Sequence, residues 1–421
     1  MNDRPVRFLH AFGGYGIELE YMIVDNKHLS VLPIADQLMR AAAAGAEDEL
    51  SEVERGILAW SNELVLHVIE IKNPQPIASL SMLPKAFQAE IRAMNDMLEG
   101  MGARLMPTAM HPWMNPRTET RLWPHHNKAI YKAYERIFDV RSHGWANLQS
   151  MHINLPFADD REFARLHAAA RLVLPIMPAL AASSPIAGRR DTGFMDYRMQ
   201  AYWRNSDEVP SLAGKVVPPT VSSRAEYEER VLAPMYRDIS ALDPANVLRH
   251  EWLNSHGAIA RFDRQAIELR VIDTQECPHA DLAIAAAASF LTRKLYRAEK
   301  PELALQQAIS TDALAAILRA CIVDAEEAVI DDSEYLAVLG FPDPRCNARE
   351  LWCHLIDEMM RIEVEHVRLW NAPLQRILRH GPLARRIMRA VGADCSRPRL
   401  EAVYRELCDC LLQGRMFEEL A

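Results

Sequence analysis

The segment GIELEYMIV (residues 16–24) carries Glu18 and Glu20 two positions apart in an otherwise apolar, strand-like run. In an extended strand, alternate side chains point to the same face. Both carboxylates therefore stand on one side. The same spacing returns in LHVIEIK (66–72) with Glu70 and Lys72, in SMHINLPF (150–157) with His152 and Asn154, and in AIELRVID (266–273) with Glu268 and Arg270. Any one pair fits an exposed strand face or a surface ion pair. Taken together they predict one sheet with a polar, carboxylate-rich, concave face.

Carboxylates do not crowd one face without compensation, because like charges raise each other's pKa. Divalent cations relieve the repulsion, and Mg²⁺ prefers carboxylate oxygens together with phosphate oxygens and water. A nearby histidine suits Mn²⁺ or Mg²⁺. An arginine on the same face conflicts with metal ions unless an anion sits between them. Phosphate is such an anion, and arginine meets it with a two-pronged fork. Glutamates, a histidine and an arginine on one sheet face thus read as a metal–triphosphate platform. The chain has no GxxxxGK[ST] loop and no GxGxxG leading into a helix, which argues against a P-loop or Rossmann site. GGYG (13–16) reads as a turn feeding the first strand.

The 421 residues have a net charge of −9, with 49 % apolar and 25 % charged residues. That is ordinary globular composition. It excludes a disordered chain, a collagen-like fibre and a small disulfide scaffold. The acidic balance argues against a nucleic-acid partner. All seven cysteines (277, 321, 346, 353, 395, 408 and 410) fall after residue 276 with no CxxC pair. Free thiols in a reducing cytoplasm follow. Cys408 and Cys410 read as ordinary helix residues. The N-terminus, with Asp3, Arg4 and Arg7, lacks the apolar core of a secretory signal. The longest apolar stretch, near 168–187, is broken by Arg171, Pro175 and Pro178 and does not reach the roughly 20 residues that a bilayer needs. A cytoplasmic protein with no membrane partner is expected.

Pattern and punctuation predict strands at 16–24, 63–72, 104–110, 147–157, 249–252, 259–262 and 267–272. They predict helices at 33–44, 79–100, 159–182 and 224–241, with long loops over 188–223. After His279 the texture is helical to the end of the chain. Asp273, three residues past Arg270, is expected on the opposite strand face in a structural role. Trp113, Trp123 and Trp145, with His111, His125, His126 and His143, read as packed aromatics and surface histidines rather than a cap over a base.

Five segments resemble, in order, the glutamate–cysteine ligase family and in particular its bacterial carboxylate–amine ligase branch. These are GIELEYMIVD (16–25), ELVLHVIEIKNP (63–74), MHINL (151–155), LVLPIMPALAASSPIAGRRDTGFMDYR (172–198) and AIELRVIDTQECP (266–278). The resemblance implies an α+β, glutamine-synthetase-like fold: a curved, mainly antiparallel sheet with helices on its outer face. The catalytic part would span 1–295 and a helical C-terminal part 296–421. It implies ATP-dependent joining of a small-molecule carboxylate to an amine. Glu18, Glu20, Glu63, Glu70, His152 and Glu268 would hold Mg²⁺, with Mn²⁺ as an alternative. Arg270 would contact the ATP phosphates and the transferred phosphoryl group, and with Glu268 forms the expected catalytic pair. Arg198 would bind a substrate carboxylate or phosphate, and Asn154 would line the nucleotide side. The chain departs from the family pattern at Asn154, at Lys72–Asn73 and across 199–223. Its apolar helical tail suits a homo-oligomer contact. The rival readings are a non-catalytic nucleotide- or amino-acid-binding protein of this fold, a guanidino phosphotransferase and a metal-dependent amide hydrolase.

Overall fold

The computed structural model describes residues 8–43, 51–126, 128–362 and 367–418. The polar N-terminus around Asp3, Arg4 and Arg7, and residue 44 at the end of the first expected helix, lie outside the described residues. Eight strands form one antiparallel sheet: β1 (Gly16–Asp25), β2 (Glu52–Arg55), β3 (Leu58–Asn62), β4 (Val68–Lys72), β5 (Ala103–Met106), β6 (Ser150–Pro156), β7 (Ala258–Arg261) and β8 (Ala266–Asp273). Their order is β2–β3–β4–β1–β6–β8–β7, and β5 pairs with the far half of β1. β1 is the hub. Its first half lies between β4 and β6, and its second half meets β5.

Alternation gives this sheet two unlike faces. Ile17, Leu19, Ile71, Ile153, Ile267 and Leu269 are fully buried on one face. They join one hydrophobic core with residues from the helices Leu83–Glu99, Asp160–Val173 and Pro278–Tyr296. The first of these helices carries Phe87, Ile91, Met94 and Leu98 at helical spacing and is followed by Gly100. The second is capped by Asp159, whose Oδ1 accepts the Glu162 amide at 2.8 Å. Each large apolar side chain buried here contributes about 1.5–3 kcal/mol. That burial fixes the register: a slip of one residue would drive Glu18 and Glu20 into the helix-covered core.

The C-terminal part is helical, apart from a short strand pair at Val329–Ile330 and Cys346–Asn347. Its last helix, Arg397–Gln413, packs on β5 and on Leu83–Glu99. Gln88 Nε2 donates to the Leu411 carbonyl at 2.9 Å, and Arg104 pairs with Asp409 at 2.6 Å. Among the described residues, no helix is long and apolar enough to cross a membrane.

Several expected elements differ. Only Val68–Lys72 of 63–72 is strand. The preceding residues turn away, because the Leu64 carbonyl accepts the Trp123 amide and the Leu66 amide donates to Arg121, both at 2.9 Å. The strand expected over 104–110 stops at Met106, before Pro107. The helix expected over 159–182 breaks at Val173 and restarts briefly at Pro178–Ala181; Pro175 and Pro178 lack the amide that would continue it. The helix expected over 224–241 includes a wide π turn at Glu228–Leu232. At 249–252 there is no strand; Glu251–Leu253 forms a single 3₁₀ turn, and the Glu251 carboxylate accepts the Phe262 amide at 3.0 Å. The 188–223 region holds a helix, Tyr197–Trp203, capped by Asp196 Oδ1 on the Met199 amide at 2.9 Å.

Gly16 opens β1 opposite Asn154, and a Cβ there would stand 2.9 Å from Asn154 Cβ. Neither atom can rotate away, so the strands must part. Gly16→Ala is expected to cost about 1–3 kcal/mol, read as a lower urea midpoint with an unchanged m-value.

Candidate active site

The polar face is assembled by register. Lys72 and His152 flank Glu18 on neighbouring strands. In the next row Ser61 faces Glu70, and Glu70 faces Glu20. Asn154 lies opposite both Gly16 and Glu268. The face is enclosed: Glu20, Glu70, His152 and Glu268 are each no more than 7 % exposed.

His152 sits at its centre. Its Nδ1 is 2.9 Å from Glu18 Oε2 and 3.6 Å from Glu268 Oε1, and its Nε2 is 3.9 Å from Glu20 Oε1. Ser150 donates its amide to Glu20 at 2.7 Å, and its hydroxyl lies 2.8 Å from His152 Nε2. Asn154 Nδ2 donates to Glu18 at 3.0 Å. Ser61 donates to Glu70 at 2.6 Å, and Lys72 Nζ bridges Glu70 at 3.0 Å and Glu52 at 3.1 Å. Arg270 Nε lies 3.0 Å from Glu268, and Arg261 reaches the other Glu268 oxygen at 3.5 Å.

The charges are unevenly compensated. Burial alone would raise Glu18, but the His152 hydrogen bond and charge bring its pKa down to about 2. Burial works against the His152 cation as well; the Glu18 hydrogen bond and the carboxylates of Glu20 and Glu268 outweigh it and raise its pKa. Glu70 goes the other way. Burial and the Glu18 charge push it up to about 7, against Lys72 and Ser61. Burial, then Glu20 and Glu70, hold Glu63 well above the usual carboxylate range. Burial opposes the Arg270 cation, but Tyr202, Glu268, Glu20 and Glu18 keep it firmly protonated.

Two sets can hold a cation: Glu18, His152 and Glu268, and Glu20, Glu70 and His152. In each, one donor atom per residue lies within 4.8 Å of the others. Oxygen-rich donor sets of this kind suit Mg²⁺, and the imidazole admits Mn²⁺. The carboxylates left short of positive charge fit such an ion.

The sheet thus brings together Glu18, Glu20, Glu70, His152, Asn154, Glu268 and Arg270. Glu63 lies just past β3, where burial and the charges of Glu20 and Glu70 favour its neutral form, and it stands outside both cation sets. Arg198 is 2 % exposed, with its Nε 2.5 Å from Asp273 Oδ1. Asp273 is not on the face that simple alternation assigns: a bulge between Leu269 and Ile272 brings it opposite Ser150. A cleft of about 600 Å³ opens beside Glu18, Lys72, Asn154 and Arg264, with Leu9 and Pro76 on its apolar side. The helix Lys128–Ile137 supplies Tyr131, whose hydroxyl accepts Asn62 Nδ2 at 3.1 Å and whose pKa burial and Glu63 push up to about 12.

Sequence reasoning missed Ser61, Ser150, Arg261, Arg264 and Tyr131. Ser150 was findable, since it precedes His152 by two. The three tryptophans form no common cap. Trp113 packs on Tyr404 at 5.8 Å and under Arg397 at 4.1 Å, Trp123 against His125 at 5.1 Å, and Trp145 against Tyr134 at 5.1 Å.

Comparison with known proteins bears on the family and the fold. The model of glutamate–cysteine ligase family 2 matches residues 15–406. An uncharacterised protein of Archaeoglobus fulgidus is 34 % identical over 288 residues, covering 68 % of this chain and 75 % of its own. A Bradyrhizobium sp. (strain ORS 278) protein named "Putative glutamate–cysteine ligase 2" is 28 % identical over 301 residues, covering 69 % of this chain and 63 % of its own. Among solved structures, the glutamate–cysteine ligase of Francisella tularensis in complex with AMP superposes with a TM-score of 0.57 at 11 % identity, covering 99 % of this chain and 91 % of that one. The fold is glutamine-synthetase-like, and the class of protein is a ligase. The chain belongs to glutamate–cysteine ligase family 2.

The raised Glu70 pKa has a measurable consequence. Between the ordinary 4.5 and about 7, the folded state binds more protons than the unfolded chain. Its contribution to stability is therefore present below that window and lost as pH rises through it. A cation bound there displaces the proton. Mg²⁺ titrated at pH 6 is expected to release protons, read calorimetrically in two buffers of different ionisation enthalpy. Glu70→Gln is expected to reduce that release and flatten the stability decline.

Proposed function

We propose that the protein is an ATP-dependent carboxylate–amine ligase that forms an amide bond of the γ-glutamyl type through an acyl phosphate. The observation that carries this reading is the buried face on which Glu18, Glu20, Glu70 and Glu268 surround His152, with Arg270 at its edge. The AMP complex of the Francisella tularensis relative supports a nucleotide on this fold. The 600 Å³ cleft beside Asn154 and Lys72 suits the nucleoside, with the phosphates directed onto the acidic face. We also assign the catalytic role to residues 1–295, treat 296–421 as a helical support and place the reaction in the cytoplasm.

A free carboxylate is a poor acyl donor, because its oxygen leaves badly. In the proposed first step it attacks the γ-phosphorus of ATP, giving an acyl phosphate and ADP. In the second step the amine attacks the acyl carbon and expels phosphate. Glu18, Glu20, Glu70, His152 and Glu268 would hold Mg²⁺, which would supply positive charge to offset that of the phosphates; Glu63 neighbours Glu20 and Glu70. Most of the catalysis then lies in positioning and charge neutralisation. Arg270 is fixed by Glu268 and directs its donors at the transferred phosphoryl group. Arg198 binds an anionic group of the substrate, and Asn154 borders the nucleotide. Glutamate and cysteine are the first substrates to try, although 199–223 departs from the family pattern.

The test is ADP release with Mg²⁺ and ATP across pairs of amino acids and amines. Release that depends on both members of a pair, with free phosphate formed, is expected. Arg270→Ala should lower kcat by about 10²-fold or more, and Glu20→Gln should bring release to background. Phosphate retained on one substrate would indicate a kinase, and amide cleavage without ATP a hydrolase. ATP binding with no release would indicate a binding protein.

A further inference from the structure

The bulge in β8 does more than bend the strand. Pairing with β6 runs Glu268 opposite Asn154 and Leu269 opposite Ile153. It then resumes with Ile272 opposite Met151 and Asp273 opposite Ser150. One extra residue in β8 reverses the parity beyond it. Asp273 therefore turns to the side occupied by Ser150, His152 and Glu268, instead of entering the helix-covered core.

Asp273 is tied there to Arg198, Ser183 and Ser184. Its Oδ1 takes Arg198 Nε at 2.5 Å. Its Oδ2 accepts the Ser183 amide and the Ser184 hydroxyl, each at 2.8 Å. Ser184 Oγ in turn accepts the Arg198 amide at 3.0 Å. Arg198 Nη1 and Nη2 lie 3.4 Å from the carbonyl of Arg270, inside the bulge. Asp196, two residues before Arg198, also neighbours Asp273. Burial and the Asp273 charge favour its protonated form, so the two acids and the guanidinium stay close to neutral.

With Nε anchored by Asp273 and the two Nη atoms held only at a long 3.4 Å by the Arg270 carbonyl, the guanidinium can exchange that weak contact for a planar anion. Left unanchored, a chain this long samples many rotamers and pays for ordering each time it binds. We propose that Asp273 is a positioning residue, brought to the site face by the β8 bulge, which aims the Arg198 guanidinium at the anionic group of the substrate. This rests on the ligase reading, and it adds the device that orients one of that reading's residues.

The experiment is a double-mutant cycle on the full chain with Mg²⁺, ATP, L-glutamate and L-cysteine, joined to crystal structures of the variants. Asp273→Asn should raise KM for glutamate or ATP at least tenfold in the wild-type background. In an Arg198→Met background it should change KM less than twofold. Asp273→Glu, which keeps the charge, should recover part of the loss and serves if the asparagine variant fails to fold. An equal cost in both backgrounds would overturn the proposal, as would an unchanged KM. If the wild-type protein turns over no substrate, the ligase reading fails separately and the crystal structures decide. A guanidinium of Arg198 displaced from the Arg270 carbonyl in Asp273→Asn supports positioning, and an unmoved one overturns it.

Discussion

Crowded negative charge on a buried sheet face is the constraint from which the rest of this structure follows. Four carboxylates and one imidazole share a surface where none is more than partly exposed. Water cannot screen them, so each needs a partner of opposite charge or must keep its proton. His152 satisfies Glu18 most fully, and Glu70 is left competing for a proton near neutrality. Lys72, Arg261, Arg264 and Arg270 line the margins and add positive charge without filling the centre. A face of this kind is costly as bare structure and well matched to cations and phosphate.

Such a face persists because the opposite one is apolar and covered. The same strands that carry glutamates at even positions turn isoleucines and leucines at odd ones to the other face, under three long helices. The C-terminal part reinforces this from outside. Arg386 and Glu276 form a buried ion pair at 2.6 Å, and Glu276 also accepts the Phe417 amide at 3.1 Å. The segment following Asp273 is thereby tied to the far end of the chain. Breaking such a buried pair from one side typically costs about 3–5 kcal/mol, so the helical part holds the end of a site strand in place.

Much of the site could be read in the sequence because period two is a local property. Glu18 with Glu20, His152 with Asn154, and Glu268 with Arg270 needed only alternation, and registry between strands then brought them together. What alternation could not reach was decided by tertiary partners. Glu63 looked like part of a strand with Glu70, yet the backbone between them pairs with residues 121–123. β2 and β3 are short and mixed in pattern, so the hairpin beside β4 was invisible. The helix at Tyr197–Trp203 hid in a stretch rich in glycine and proline, although Asp196 is an ordinary cap for it. The β8 bulge defeats parity outright, and with it the expected placing of Asp273.

On the proposed reading, the acidic face binds triphosphate only through divalent cations. Calorimetric binding of a non-hydrolysable ATP analogue, with Mg²⁺ and then with excess chelator, tests it most directly. Saturable binding with Mg²⁺ and none measurable in chelator is expected, since the bare carboxylates repel phosphate. Equal affinity under both conditions, or no binding under either, would contradict it.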